Sequence, residues 1–152
     1  MGNRPGSPRR PATDVEYWQA RQDATGVTFQ PDRPKLLTPA EIEFLERFKV
    51  RGENLEYWIA ESLPDQFGCR APSNDFYWQG HEWELKSTAA EYAVVRKRIK
   101  DDLRKSKTRF VIDLGAESMD DMLRGALINY KCKRGLDGLV VMWGGGRQLT
   151  EL

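Results

Sequence analysis

The chain is short of most of the features that would announce a function from composition. It holds two cysteines, Cys69 and Cys132, far apart in sequence. Such a pair suits neither a disulfide framework nor a zinc site, which needs closely spaced ligands, so both are expected to be reduced thiols of a protein acting in the cytoplasm. There is one histidine, His81, which rules out a histidine-rich metal centre. No run approaches the roughly 18 apolar residues of a membrane span, and the N-terminus has no apolar signal segment, so no membrane association is expected. Net charge is also lacking: 24 basic against 23 acidic residues leave +1. Affinity for a polyanion would therefore have to come from local clustering.

What is present is enough for one core. A chain of 152 residues with 39% hydrophobic content can bury a single core, and a second domain is not expected. Residues 1–12 are Gly, Pro and Arg with almost nothing apolar, and read as a flexible arm; residues 13–152 read as one domain. A short helix is expected over Asp14 to Gln22, followed by turn-rich chain from Thr25 to Lys35. Thr38-Pro39-Ala40-Glu41 is a capping box with proline at the first helical position, and Ile42, Leu45 and Phe48 give that helix a packing face. Leu55, Ile59 and Leu63 fall at i, i+4 and i+8, which predicts a second helix.

The chemistry concentrates between Asn74 and Ser87. Two short runs of aromatic and β-favouring residues flank Gly80-His81, the pattern of a hairpin with a type II′ turn. That register pairs Tyr77 with Glu84 and Asp75 with Lys86. It gives Phe76, Trp78, Trp83 and Leu85 to a core face, and Asp75, Tyr77, Glu82, Glu84 and Lys86 to the other. Asp75 and Glu84 are then diagonal neighbours, about 7 to 8 Å apart at Cα, within reach of one hard cation. Two carboxylates and a lysine on one face can perform metal-assisted hydrolysis: the ion activates a water and neutralises a phosphoryl oxygen, and the lysine orients that water. The same residues also describe the solvated face of an amphipathic hairpin with one cross-strand ion pair.

Thr88-x-x-Glu91 reads as a second capping box, opening a helix to about Lys105 with Tyr92, Val95, Ile99 and Leu103 on its buried side. Eight basic residues, including Arg96, Lys97, Lys100 and Arg104, face only Glu91, Asp101 and Asp102 between Thr88 and Arg109. This is a solvated face or a path for a phosphate backbone, which such contacts would position without reading its sequence. Phe110 to Leu114 is an apolar strand containing Asp113, assigned to structure. Ser118-x-x-Asp121 opens a helix with Met119, Met122, Leu123, Leu127 and Tyr130 inward, and Leu139 to Trp143 and Gln148 to Leu152 are further strands. Strands alternating with helices imply an α/β sandwich around a mixed sheet.

Asp75, eight residues, then Glu84-Leu85-Lys86 resembles the signature of the PD-(D/E)xK nuclease superfamily. More narrowly, "DFYWQGHEWELKS", a basic helix and the strand "FVIDL" look like the tRNA-nuclease C-terminal domains of contact-dependent growth inhibition and related polymorphic toxins. Asn74 stands where the family has a proline. The resemblance covers roughly residues 52–143. It implies a restriction-endonuclease-like α/β sandwich, a mixed β-sheet flanked by helices, in which Asp75, Glu84 and the Leu85 carbonyl hold Mg²⁺ or Mn²⁺ and Lys86 assists the attacking water. It also implies a helix over 55–63 that offers Glu56 as an outer acid, the other role for Glu56 being an ordinary surface residue. Implied too are a strand somewhere in 64–73, tRNA as substrate, a cognate immunity protein, and delivery as the C-terminal part of a secreted toxin.

Two other functions compete. A metal-independent ribonuclease of the barnase, EndoU, colicin and RelE group would cut RNA by general acid and base, with His81 the available imidazole. A non-catalytic module would bind nucleic acid through the basic helix alone.

Overall fold

The Thr38 capping box forms as its residues dictate: the Thr38 hydroxyl accepts from the Glu41 amide at 3.2 Å, and the Glu41 carboxylate accepts from the Thr38 amide at 2.9 Å. In the computed structural model, which describes residues 11–60 and 74–152, this box opens a helix that lies between an N-terminal helix and the sheet. The helices are α1 (Pro11–Thr25), α2 (Pro39–Val50), α3 (Tyr92–Leu103) and α4 (Asp121–Arg134). The strands are β1 (Phe29–Gln30), β2 (Tyr57–Ile59), β3 (Phe76–Trp78), β4 (His81–Ser87), β5 (Arg109–Asp113), β6 (Gly138–Trp143) and β7 (Gln148–Glu151). They form one mixed sheet in the order β1-β2-β3-β4-β5-β6-β7. Pairing is parallel for β1–β2, β4–β5 and β5–β6, and antiparallel elsewhere.

Two cores sit on the two faces of this sheet, which is what a three-layer α/β sandwich requires. On one face Ile42, Phe44, Leu45 and Phe48 of α2 pack with Trp58, Phe76, Trp78, Trp83, Leu85 and Val111. On the other, Val95, Ile99, Leu123, Leu127 and Tyr130 of α3 and α4 cover Phe110, Ile112, Leu139 and Val141. The α/β class and the flanked mixed sheet are as the sequence implies.

Several local expectations change. The stretch expected as a helix over 55–63 is strand β2 over Tyr57–Ile59, with Tyr57 stacked on Tyr77 and Trp58 buried against Phe76. Three consecutive bulky residues, Tyr57, Trp58 and Ile59, favour pleated backbone over helix once a strand is available to pair with. The part of that expectation beyond Ala60, and the strand expected in 64–73, lie outside the described residues, as does Cys69. Residues 1–10 of the expected arm are likewise outside them, and α1 begins at Pro11 rather than Asp14.

Thr88 does not cap α3: its hydroxyl donates to the Ala89 carbonyl at 3.0 Å, and the helix starts at Tyr92 with Glu91 as an N-cap that makes no side-chain bond. Asp120 rather than Ser118 caps α4, accepting from the Leu123 amide at 2.7 Å. That phase turns Met122 outward, where it is 85% exposed.

Candidate active site

The hairpin loop lies one residue earlier than expected, which shifts the pairing of the two strands by two residues. Its loop is Gln79-Gly80, both at positive φ (52° and 78°), and His81 joins β4 opposite Trp78. Positive φ at both loop positions is the type I′ arrangement, whose twist matches that of the flanking strands. Tyr77 therefore pairs with Glu82, not Glu84. The slip preserves which side each residue faces, since moving the loop by one position on each strand leaves the alternation intact. Phe76, Trp78, Trp83 and Leu85 keep their core face. His81 is exposed and not in the loop.

The slip brings Asp75 level with Glu84 instead of Lys86. The recorded β3–β4 ladder ends at Phe76 and Trp83. Just beyond it, the Asp75 amide donates to the Trp83 carbonyl at 2.9 Å, and the Asp75 carboxylate accepts from the Leu85 amide at 2.8 Å. Asp75 thus satisfies a β4 donor that has run out of strand partner, as a buried backbone group must be.

Glu84 is paired in register with Phe110, and Lys86 with Ile112, so both stand on the α3 side of the sheet. There Glu84, 6% exposed, accepts from Lys107 Nζ at 2.8 Å, and Lys86 Nζ lies 3.5 Å from its other oxygen. Lys86 reaches Asp102 of α3 at 2.5 Å, and Lys105 approaches the second Asp102 oxygen at 3.6 Å. Three acids and three lysines thus meet where β4 reaches the C-terminal end of α3. The ion pair foreseen between Asp75 and Lys86 is replaced by the pairs of Lys86 with Asp102 and Glu84.

The electrostatics follow from this crowding. Burial, and then the charge of Glu84, push the Asp75 carboxyl up to about 7, against a smaller opposing effect of the Leu85 amide. Burial also raises Glu84, and the Lys107 hydrogen bond only partly offsets it. Asp102 goes the other way: burial works to raise it, but the bond and charge of Lys86, with Lys107 and Lys105 behind, hold it below the ordinary range. Two acids kept protonated more readily than usual, next to one held ionised, is what partial desolvation around a shared charge produces.

Among the described residues, no three acidic, histidine or cysteine side chains are grouped to hold a metal ion. The oxygen donors available are the two carboxylates of Asp75 and Glu84, with the Leu85 carbonyl. They are hard ligands suited to Mg²⁺ or Mn²⁺. Asp75 and Glu84 stand level across β3 and β4, close enough for the charge of one to act on the other, and such an oxygen pair is of the chemical class that these ions take.

Glu56 is not brought to this cluster. It is exposed, one residue before β2, and its amide donates to the Tyr77 carbonyl at 2.9 Å. Asp75 lies beside Ile59 at the far end of β2, where its carbonyl accepts from the Ile59 amide at 2.8 Å, some three strand residues or about 10 Å away. Arg96, Lys97, Lys100 and Arg104 are all exposed on α3. Asp113 accepts from Arg47 and from the Gly115 amide, closing the end of β5.

Lys107 and Asp102 are the residues that sequence reasoning missed in this cluster. Both were counted only within a run of surface charge. The available signal was local: Asp102 extends the Tyr92, Val95, Ile99 stripe by helical spacing, and Lys107 directly precedes an apolar strand.

No protein-family model matches the sequence, and no curated protein matches it. Among solved structures, the fold is similar to a chain of a CdiA-CT/CdiI toxin and immunity complex from Burkholderia pseudomallei, with a TM-score of 0.55 and 14% identity over 79% of this chain and 95% of that one. At that identity the likeness is one of fold.

Proposed function

We propose that this protein is a metal-dependent endonuclease of the PD-(D/E)xK type, acting on tRNA as the toxin domain of a contact-dependent growth inhibition system. The observation that carries the proposal is the convergence of Asp75, Glu84 and Lys86 on the α3 side of β4. The fold shared with a chain of a toxin and immunity complex supports the biological setting.

In this scheme Asp75, Glu84 and the Leu85 carbonyl would hold Mg²⁺ or Mn²⁺, which would activate a water and neutralise phosphoryl charge. Lys86, ion-paired with Glu84 and Asp102, donates to the oxygen that gains charge as the phosphodiester is attacked. Lys107 pairs with the other oxygen of the same Glu84 carboxylate. The exposed cations of α3 lead the backbone in without selecting bases. A cognate immunity protein would complement that basic surface with acidic residues.

The test is incubation of the purified chain with total tRNA and with plasmid DNA, in Mg²⁺, Mn²⁺ or EDTA, beside Lys86→Ala. Cleavage that needs the ion and is lost in the variant is expected. Activity surviving EDTA would replace the metal mechanism by acid–base cleavage of RNA. Intact substrate in every lane would leave only a binding role.

A further inference from the structure

The cleft between α3 and α4 takes no part in the acid–lysine cluster. Tyr92 and Tyr130 meet edge to face there, with ring centroids 6.3 Å apart. Beside them opens a cavity of about 380 Å³ lined by Tyr92, Arg96, Asn129, Tyr130, Lys133 and Arg134. That volume is in the range of small-molecule sites. Three of the six lining residues are cations and none is an acid.

The C-terminal dipole of α4 accounts for Lys133 and Arg134 being basic, and Arg134 also lies over the Tyr130 ring at 5.7 Å. It does not account for Arg96, which comes from α3. Nor does it account for the Tyr130 hydroxyl. Tyr130 is 3% exposed, and its hydroxyl is buried with no hydrogen-bond partner among the described residues. Phenylalanine would fill the same space without an unsatisfied polar group, so a hydroxyl here calls for a partner that none of the described residues supplies.

We propose that the α3–α4 cleft binds the phosphate of a nucleotide unit. Arg96, Lys133 and Arg134 supply the charge, Asn129 and the Tyr130 hydroxyl the neutral hydrogen bonds, and the Tyr92 ring a stacking surface for the base. The hydroxyl is shielded in the free protein, so binding requires the exposed arginine and lysine side chains to swing as they close on the anion. Arg96 stands six residues before Asp102 on α3, about 9 Å along the axis. One strand lying along α3 would touch both this cleft and the cluster, but binding in the cleft does not depend on hydrolysis.

The experiment is calorimetric titration of the full chain, in EDTA and low salt, with adenosine 5′-monophosphate, inorganic phosphate and adenosine. The monophosphate is expected to bind best and adenosine least. Arg96→Gln with Lys133→Gln should weaken the monophosphate about tenfold or more, and Tyr130→Phe about fivefold, with no fall in the unfolding midpoint of the Tyr130→Phe protein. A short oligodeoxynucleotide that binds more tightly with the same sensitivity to substitution assigns the phosphate to a nucleic-acid chain, and an equal affinity assigns it to a free nucleotide. Adenosine binding as well as its monophosphate, both variants staying within twofold of the parent, or an oligoglutamate binding as tightly as the monophosphate would overturn the proposal. Because nothing is cleaved, failure here leaves the nuclease proposal standing, and inactivity on tRNA leaves this one standing.

Discussion

Lys107 Nζ donates to Glu84 Oε1 across 2.8 Å, with both side chains more than nine-tenths buried. The pair joins β4 to the turn after α3, 23 residues away in sequence. Removing one partner of such a pair strands the other charge, which costs more than the pair contributes. Lys107→Met is therefore expected to lower the unfolding free energy by about 3 kcal/mol at pH 7. Adding Glu84→Gln should restore most of it. Urea denaturation of the two variants checks both, and an additive double variant would show that the residues do not interact.

Asp75 makes an opposite contribution. Its folded carboxyl titrates near 7, above its ordinary 3.8, so the folded protein holds a proton that the unfolded chain releases. Stability from this group is complete below about pH 4 and is lost as pH rises toward 7. Asp75→Asn keeps an acceptor for the Leu85 amide and removes the charge. It should stabilise the metal-free protein at pH 8 by on the order of 1 to 2 kcal/mol, with little difference at pH 4. Denaturation at the two pH values decides.

Asp102 has its folded pKa lowered, and the sign reverses. Its contribution is present above the ordinary carboxylate range and lost as pH falls through the folded value. Asp102→Asn should cost about 1 to 2 kcal/mol at pH 7 and progressively less as pH falls below the ordinary carboxylate range. It also removes one of the two acids that hold Lys86, so if the chain is the proposed nuclease, tRNA cleavage should fall by about tenfold or more.

If Asp75 and Glu84 hold a divalent ion, Mn²⁺ at a hundred times its dissociation constant should stabilise the protein by about 2.7 kcal/mol. Thermal unfolding with and without the ion reads this directly. The shift should vanish in Glu84→Gln.

Gly138 is placed where a Cβ would lie 2.6 Å from Trp83 Cη2 and 2.9 Å from its Cζ3. The Trp83 indole is fixed by donating to the Trp78 carbonyl at 2.9 Å, so it cannot yield without moving β4. Gly138→Ala should destabilise by about 1 to 3 kcal/mol and reduce cleavage by displacing Glu84, one residue along. Unfolding and activity measured on the same preparation test the link.

The parts of this fold readable from sequence are those with a local cause. The Thr38 box, the apolar runs of β5 and β6 and the alternation of the hairpin each specify their own structure within a few residues. The hairpin loop was misplaced by one because Gln79-Gly80 and Gly80-His81 both present a glycine, in different loop positions. Within the described part of the helix expected over 55–63, strand β2 forms instead because apolar spacing of four fits either period over so short a run, and pairing with β3 and β1 decides for strand.

By itself the chain determined the alternation that puts Asp75, Glu84 and Lys86 on one side of a hairpin, an arrangement that the observed shift of two residues in the pairing leaves unchanged. Only the tertiary structure decided that α3 delivers Asp102 and the following turn Lys107 to the same spot, and that Glu56 stays away from it. Alternation along a strand acts over neighbouring residues and survives a pairing shift of two, whereas a contact across 23 residues depends on how the helix is laid over the sheet, which the whole core settles at once.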